Sequence, residues 1–414
     1  MLIIYRILIN ITIILSPVIL LIRLLNKKEH PKRFKEKFCV FSKERKKGKL
    51  LWFHGASVGE LLSIIPLVEK LEKKKEIKQI LITTSTLSSA KIFLKFKLKK
   101  TIHQFFPIDS NYFSNKFLNF WKPDLAIFID SEIWPNMIFN LKKKSIKCIL
   151  LNARLSKKSF RRWQLLPRFA KKIFSSFDYV YPQTDETRSY LKNLGCKKIT
   201  KIGNLKFIEN KTKISIKSKN KVGQFVKREI WCGSSTHNLE ELFCAKAHIE
   251  LKKKYKNLLT IIIPRHVNRI YEIEQNLKEK GLNVHIHSTN KKINKSTDIY
   301  LVDTYGETES FFKISKIVFL GGSLVNHGGQ NPLEAARFGC KIIHGDNVFN
   351  FKEIYSLLKK NSQSFKVKNS DQLSKTINYL FKTKNNSNNL SKKIRKMGVQ
   401  ILKKTENEVS KLLR

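Results

Sequence analysis

The chain has 414 residues, with 82 Lys or Arg against 32 Asp or Glu, a formal net charge of +50. Hydrophobic residues at 42% and aromatics at 11% exclude a disordered polycation, which lacks the apolar area to offset chain entropy. Six Cys without a C-x-x-C pair exclude a disulfide scaffold and the usual zinc spacings, and 16 Gly with 10 Pro exclude collagen-like sequence.

The first predicted element is an apolar run from Ile7 to Ile22, bracketed by Arg6 and Arg23. Leu2–Tyr5 and Leu24–Leu25 extend it if the two Arg side chains snorkel. Residues 1–26 are therefore read as a membrane anchor, either spanning or lying in the interface. Lys27, Lys28, Lys32, Arg33, Lys35 and Lys37 follow at once, which puts the bulk of the chain on the cytoplasmic side. A buried core helix is the competing reading. A cleaved signal peptide lacks its small-residue site here.

From Leu50 the chain alternates short apolar runs with amphipathic stretches, the signature of parallel α/β sheet. Strands are expected near Leu50–Phe53, Gln79–Thr83, Leu125–Ile129, Ile146–Leu151 and Tyr179–Tyr181. A polar linker, Glu209–Lys227, separates these from a second set near Ile230–Gly233, Leu258–Ile263, Val284–His287, Ile299–Val302, Ile317–Leu320 and Cys340–Ile343. A helical tail runs from about Leu390 to Leu413. The expected architecture is two Rossmann-like lobes, 27–208 and 209–414, enclosing a cleft.

Ligands of such sheets bind beyond the carboxyl ends of strands. The loop His54–Glu60 follows the first strand, with Glu60 at a helix start, where it is either a cap or a functional carboxylate. Asp130 and Glu132 follow a later strand at i and i+2, unusual for an ordinary turn. In the second half, Ser234–His237, Pro264–His266, Tyr305–Glu307 and Gly321–Ser323 all follow strands, and Asn331–Glu334 opens a helix with Pro332 in its first turn. Glu334 is either a ribose ligand or a helix-start acid. His103, His248, His285, His287 and His344 lack metal-ligand spacing, and His54 and His327 are assigned no chemistry.

Seven segments in order resemble the Kdo (3-deoxy-D-manno-octulosonic acid) transferases of lipopolysaccharide biosynthesis. They are WFHGASVGE (Trp52–Glu60), DSEIWPN (Asp130–Asn136), NARLSKKS (Asn152–Ser159), GNLKF (Gly203–Phe207), PRH (Pro264–His266), DTYGE (Asp303–Glu307) and GGSLVNHGGQNPLEAA (Gly321–Ala336). The resemblance implies a GT-B glycosyltransferase with an N-terminal anchor, working at the cytoplasmic face of the bacterial inner membrane. It implies CMP-Kdo as donor and the lipid A precursor lipid IVA as acceptor. Glu60 corresponds to the proton acceptor. Asp130 and Lys206 correspond to transition-state stabilisers, although Asp130 stands where the family usually has Glu. Pro264, Arg265, Tyr305, Gly306, Glu307, Asn331, Pro332, Leu333 and Glu334 correspond to the CMP-binding segments. Tyr305 stands where Met is common, and Asn326 where Pro is common.

The residues fit this chemistry on their own terms. One carboxylate serves a single inverting displacement, because a phosphate leaving group needs stabilisation rather than a proton. The expected reaction is metal-independent and needs no cofactor beyond the donor. The rival readings are another GT-B nucleotide-sugar transferase and a membrane-tethered nucleic-acid binder. Only 15 of the 82 basic residues are Arg and Lys is spread throughout, so no nucleic-acid partner is expected. Inner-membrane lipids are the expected neighbour of the remaining charge.

Overall fold

The N-terminal helix α1 (Leu2–Leu25) is long and apolar enough to cross a membrane by length and composition. Pro17 interrupts its hydrogen-bond ladder, and the Ser16 hydroxyl donates to the Ile13 carbonyl that Pro17 cannot serve (2.6 Å). The structure, a computed structural model, describes residues 1–209, 225, 228–289, 291–383 and 388–413. Two structural units emerge, residues 1–212 with 397–414, and residues 213–396. The linker expected over Glu209–Lys227 lies outside the described residues, save Glu209 and Phe225.

The first unit is built on β1 (Lys49–His54), helix α2 (Val58–Leu71), β2 (Ile77–Thr84), β3 (Thr101–Phe105), β4 (Leu125–Ile129), helix α3 (Pro135–Lys143), β5 (Lys147–Ala153) and β6 (Tyr179–Pro182). The strands pair in parallel, in the order β3-β2-β1-β4-β5-β6. Strands buried on both faces read as nearly continuous apolar runs, which is why β1 and β4 are legible. Trp52, Trp121, Phe117 and Phe128 fill the core on one side of this sheet. Each such side chain contributes about 2–3 kcal/mol on removal from water.

The second unit contains β7 (Glu229–Thr236), helix α4 (Glu240–Lys252), β8 (Leu258–Pro264), β9 (Val284–Ile286), β10 (Ile299–Leu301), β11 (Ile317–Leu320), the short helix α5 (Leu333–Arg337), β12 (Lys341–His344) and β13 (Ser364–Lys366). These strands are also parallel, in the order β13-β12-β11-β7-β8-β10-β9, around a core that includes Trp231 and Phe319. The final helix, α6 (Asn388–Leu412), is divided, with residues from 397 onward belonging to the first unit. Two strands were not expected from the sequence, β3 and β13. Both lie at sheet edges, where β3 carries Thr101, His103 and Gln104 and β13 has only three residues. Polar or very short edge strands leave little apolar signal to read.

Candidate active site

In the first sheet the strand order reverses between β1 and β4, so the loops leaving these two strands flank one crevice. Glu60 follows the loop after β1, at the third position of α2. Its carboxylate accepts from the Ser57 N–H (3.2 Å), and the Ser57 hydroxyl accepts from the Glu60 N–H (3.3 Å), a complete capping box. Gly55 makes room for this arrangement, since a Cβ there would lie 3.0 Å from Glu60 Cβ. The capping and functional readings of Glu60 are therefore compatible. One oxygen anchors the carboxyl while the group remains only partly buried.

Asp130 leaves β4 in the left-handed backbone region (φ 61°), which Asp tolerates better than most residues. Its carboxylate accepts from the Gln183 amide (3.2 Å). Gln183 in turn accepts from Asn204 Nδ2 (3.2 Å), and Asn204 Oδ1 accepts from the Lys206 N–H (3.0 Å). Asn152, also left-handed, accepts from the Leu205 N–H (2.9 Å). These links tie the 203–207 loop to the ends of β4, β5 and β6. From the other side, Gly398 of α6 lies against the Phe207 carbonyl and Ile401 against Gly203. Three residues distant in sequence, Glu60, Asp130 and Lys206, are thereby brought into mutual electrostatic range.

Their charges perturb one another. Burial raises the Glu60 carboxyl from 4.5 to about 7, with the Glu132 and Asp130 carboxylates adding to the effect. Burial also raises Asp130, against the pull of Lys206 and Arg154. The Lys206 ammonium is lowered by burial, with Asp130 opposing. Glu132 behaves oppositely to Glu60. Burial resists its ionisation, but a hydrogen bond with His54 (3.1 Å) and the Trp134 indole (2.8 Å) hold it below its ordinary value. His54 is itself fixed by Thr83 Oγ1 (3.0 Å) and by stacking on Phe106. The site thus contains one carboxylate held ionised and another poised near neutrality, the pattern that separates acid from base roles.

Sequence reasoning assigned no role to Glu132, His54, Gln183, Asn152 or Asn204. The i, i+2 spacing of Asp130 and Glu132 was the one signal pointing to Glu132. The amide relay through Gln183 has no local signature, because its partners lie 21 and 53 residues away.

In the second unit the order reverses between β11 and β7, and the loops after those strands meet. Buried Glu240 accepts backbone N–H groups of His237, Gly322, Ser323 and Leu324 at 2.6–3.1 Å. Gly321 is obligatory there, since a Cβ would come within 2.5 Å of Ser235 O. Pro264 ends β8, buried, and Arg265 follows it exposed, its N–H donating to Thr236 O (2.9 Å). Exposed Tyr305 accepts from the Val267 N–H (3.4 Å), while Gly306 has a positive φ of 91°. Glu307 pairs with His287 (3.0 Å) and Thr304 (3.0 Å). Asn331 Oδ1 accepts from the Leu333 N–H (3.1 Å). Pro332 caps α5, and Leu333 is fully buried, so only its backbone can meet a ligand. Glu334 is exposed, with Arg337, Glu309 and Arg265 as charged neighbours. His237 stands beside His327 and His266 at ring separations of 4.3 and 5.8 Å.

Comparison with known proteins gives two family matches. Residues 32–209 match the family described as 3-deoxy-D-manno-octulosonic-acid transferase (kdotransferase), and residues 237–397 match glycosyl transferases group 1. A 3-deoxy-D-manno-octulosonic acid transferase of Rickettsia bellii is 36% identical over 370 residues, covering 89% of this chain and 88% of its own. One from Haemophilus influenzae is 31% identical over 88% of this chain and 85% of its own. Among solved structures, a glycosyltransferase from Rickettsia africae superposes with a TM-score of 0.57 at 14% identity, covering 89% of this chain and all of that one. A UDP-GlcNAc 2-epimerase from Neisseria meningitidis gives 0.58 at 14% identity, covering 88% and 99%. These likenesses bear on the fold alone, and it is the expected class of two Rossmann-like units, as in GT-B glycosyltransferases.

Proposed function

The chain is a glycosyltransferase of the 3-deoxy-D-manno-octulosonic acid (Kdo) transferase family, and we propose that it moves Kdo from CMP-Kdo to the lipid A precursor lipid IVA in lipopolysaccharide biosynthesis. In this reading an acceptor hydroxyl attacks the anomeric carbon of the donor, Glu60 takes the hydroxyl proton, and CMP departs with inversion. The observation that carries it is the convergence, after β1 and β4, of Glu60 fixed by its capping box with Asp130 and the 203–207 loop that bears Lys206, burial raising the Glu60 carboxyl to about 7 as suits a base. Lys206 is the cation for the donor's carboxylate and developing charge, and the Asp130 carboxylate favours its charged form. Arg265 and the 331–334 helix start take the CMP phosphate, with Pro264, Tyr305, Gly306, Glu307 and Glu334 completing the nucleotide contacts. No step calls for a metal. The apolar α1 and the basic residues after it support a place at the cytoplasmic face of the inner membrane, beside a phosphorylated lipid acceptor. Purified protein incubated with CMP-Kdo and lipid IVA in the presence of EDTA tests the whole reading. A product heavier by whole Kdo units is expected, and an unchanged lipid mass overturns it.

A further inference from the structure

Helix α1 is tied to the first unit at both of its ends. Near its start, the Tyr5 hydroxyl donates to Asp109 Oδ2 (2.8 Å), and Arg6 donates to Asn136 Oδ1 (2.9 Å) and Asn111 Oδ1 (3.1 Å). Asp109 is itself buried and fixed, accepting from the Asn136 and Met137 N–H groups at the start of α3. At its far end, Arg23 pairs with buried Glu29 (2.7 Å), which also holds Lys37 (2.5 Å).

Between these ties, exposure alternates with helical period. Leu2, Tyr5, Arg6, Ile9, Ile13, Ser16, Leu20, Arg23 and Leu24 are all shielded or buried, and at 3.6 residues per turn they form one stripe roughly 100° wide along the whole helix. The polar side chains Tyr5, Arg6, Ser16 and Arg23 lie on that stripe. The opposite arc is wholly apolar and exposed, running through Ile4, Ile7, Ile11, Ile14, Val18 and Leu25. Asn10 and Thr12 fall at its two borders.

Twenty-four helical residues extend about 36 Å, enough to cross a hydrocarbon core of about 30 Å. A crossing helix would carry Tyr5 and Arg6 to the far leaflet, away from Asp109, Asn111 and Asn136. It would also put Arg6 and Arg23 at opposite faces of the bilayer rather than on one protected stripe. We propose that α1 does not span the membrane but lies flat in the interface of a single anionic leaflet, its Ile4–Leu25 arc in the acyl boundary and both ends held to the first unit. Charge favours a lipid occupant over a second copy of the chain. Lys27, Lys28 and Lys32 adjoin the arc, each gaining about 1 kcal/mol near an anionic leaflet, whereas two chains of +50 repel.

The inference rests on the membrane reading above, and the experiment separates the two. Full-length protein is first floated with vesicles containing anionic lipid. Failure to float overturns both readings. Cysteines are then placed by Ile3→Cys and Lys28→Cys, the six native cysteines all being buried. In intact spheroplasts a membrane-impermeant maleimide is expected to label neither site, with both reacting after detergent solubilisation. Labelling of Ile3→Cys alone in intact cells means a spanning helix and overturns the flat arrangement only. A fluorophore on Ile14→Cys is expected to lose most signal to lipids brominated near the headgroup end of the acyl chain. Strongest quenching by bromine at the chain ends, or self-association of the arc without quenching, also overturns it.

Discussion

Replacing Glu60 by Gln should cut turnover steeply while making the protein more stable, and the two effects share one cause. The carboxyl rises from 4.5 to about 7, chiefly through burial and then through Glu132 and Asp130. Between these values the native state holds the proton more tightly than the unfolded chain, so stability falls as pH rises through that window. Above pH 7 the full ionisation cost is present, about 3 kcal/mol as an upper limit. Gln does not ionise, and it keeps the capping-box geometry around Ser57, where Glu and Gln both serve. The variant should therefore match the wild type near pH 4 and exceed its stability above pH 7 by up to that amount. Activity should fall by roughly 10²–10⁴ as the proton acceptor is lost. For the wild type, kcat/KM should climb with pH through about 7 as Glu60 deprotonates. Urea melts from pH 4 to 8 and steady-state transfer assays provide the readouts. Turnover within tenfold of wild type removes Glu60 from the reaction, and parallel stability–pH curves for the two proteins refute the electrostatic account.

Asp130→Asn should lower kcat by about 10–100-fold, the worth of a charge lost within electrostatic range of Lys206, while Asp130→Glu retains activity; equal activity of Asn and Asp refutes the role. Gly398→Ala places a Cβ onto the Phe207 carbonyl, so a loss of about 1–3 kcal/mol in urea melts is expected, together with a lower kcat because Lys206 is the adjoining residue. Arg265→Ala should raise the donor KM by roughly tenfold with little change in fold by circular dichroism, and an unchanged KM shows the phosphate is held elsewhere. Glu240→Ala leaves four backbone N–H groups without their shared acceptor and should destabilise the second unit by about 3–5 kcal/mol in urea melts.

Much of this was legible because buried parallel strands announce themselves. Every strand of the first sheet except β3 was visible as an apolar run, and the loops after β1 and β4 could be inspected directly. Edge strands β3 and β13 escaped because their polar or short sequences carry no such run. At the site, position after a strand singled out Glu60 and Asp130 for inspection, left Glu60 open between cap and functional carboxylate, and only the family resemblance gave them roles. What could not be read was how they differ from Glu132. That depends on His54, 78 residues away, whose ring meets Glu132 only once β1 and β4 pair. The flat seating of α1 was equally hidden. Its hydropathy suits spanning and lying alike, and Asp109, the residue that decides between them, is 104 positions from Tyr5.

The division of α6 has a consequence for synthesis. Residues 397–414 complete the first unit, where Lys49 and Lys147 donate to the carbonyls of Leu413 and Leu412, and Glu408 accepts from Tyr181. All of the second unit is translated before that segment leaves the ribosome. At typical elongation rates the first unit waits on the order of ten seconds or more, with the surfaces around Gly203 and Phe207 uncovered. Its Lys206 loop is thus clamped last, so a chain truncated near its end would retain both sheets yet leave the 203–207 loop without the helix that packs against it.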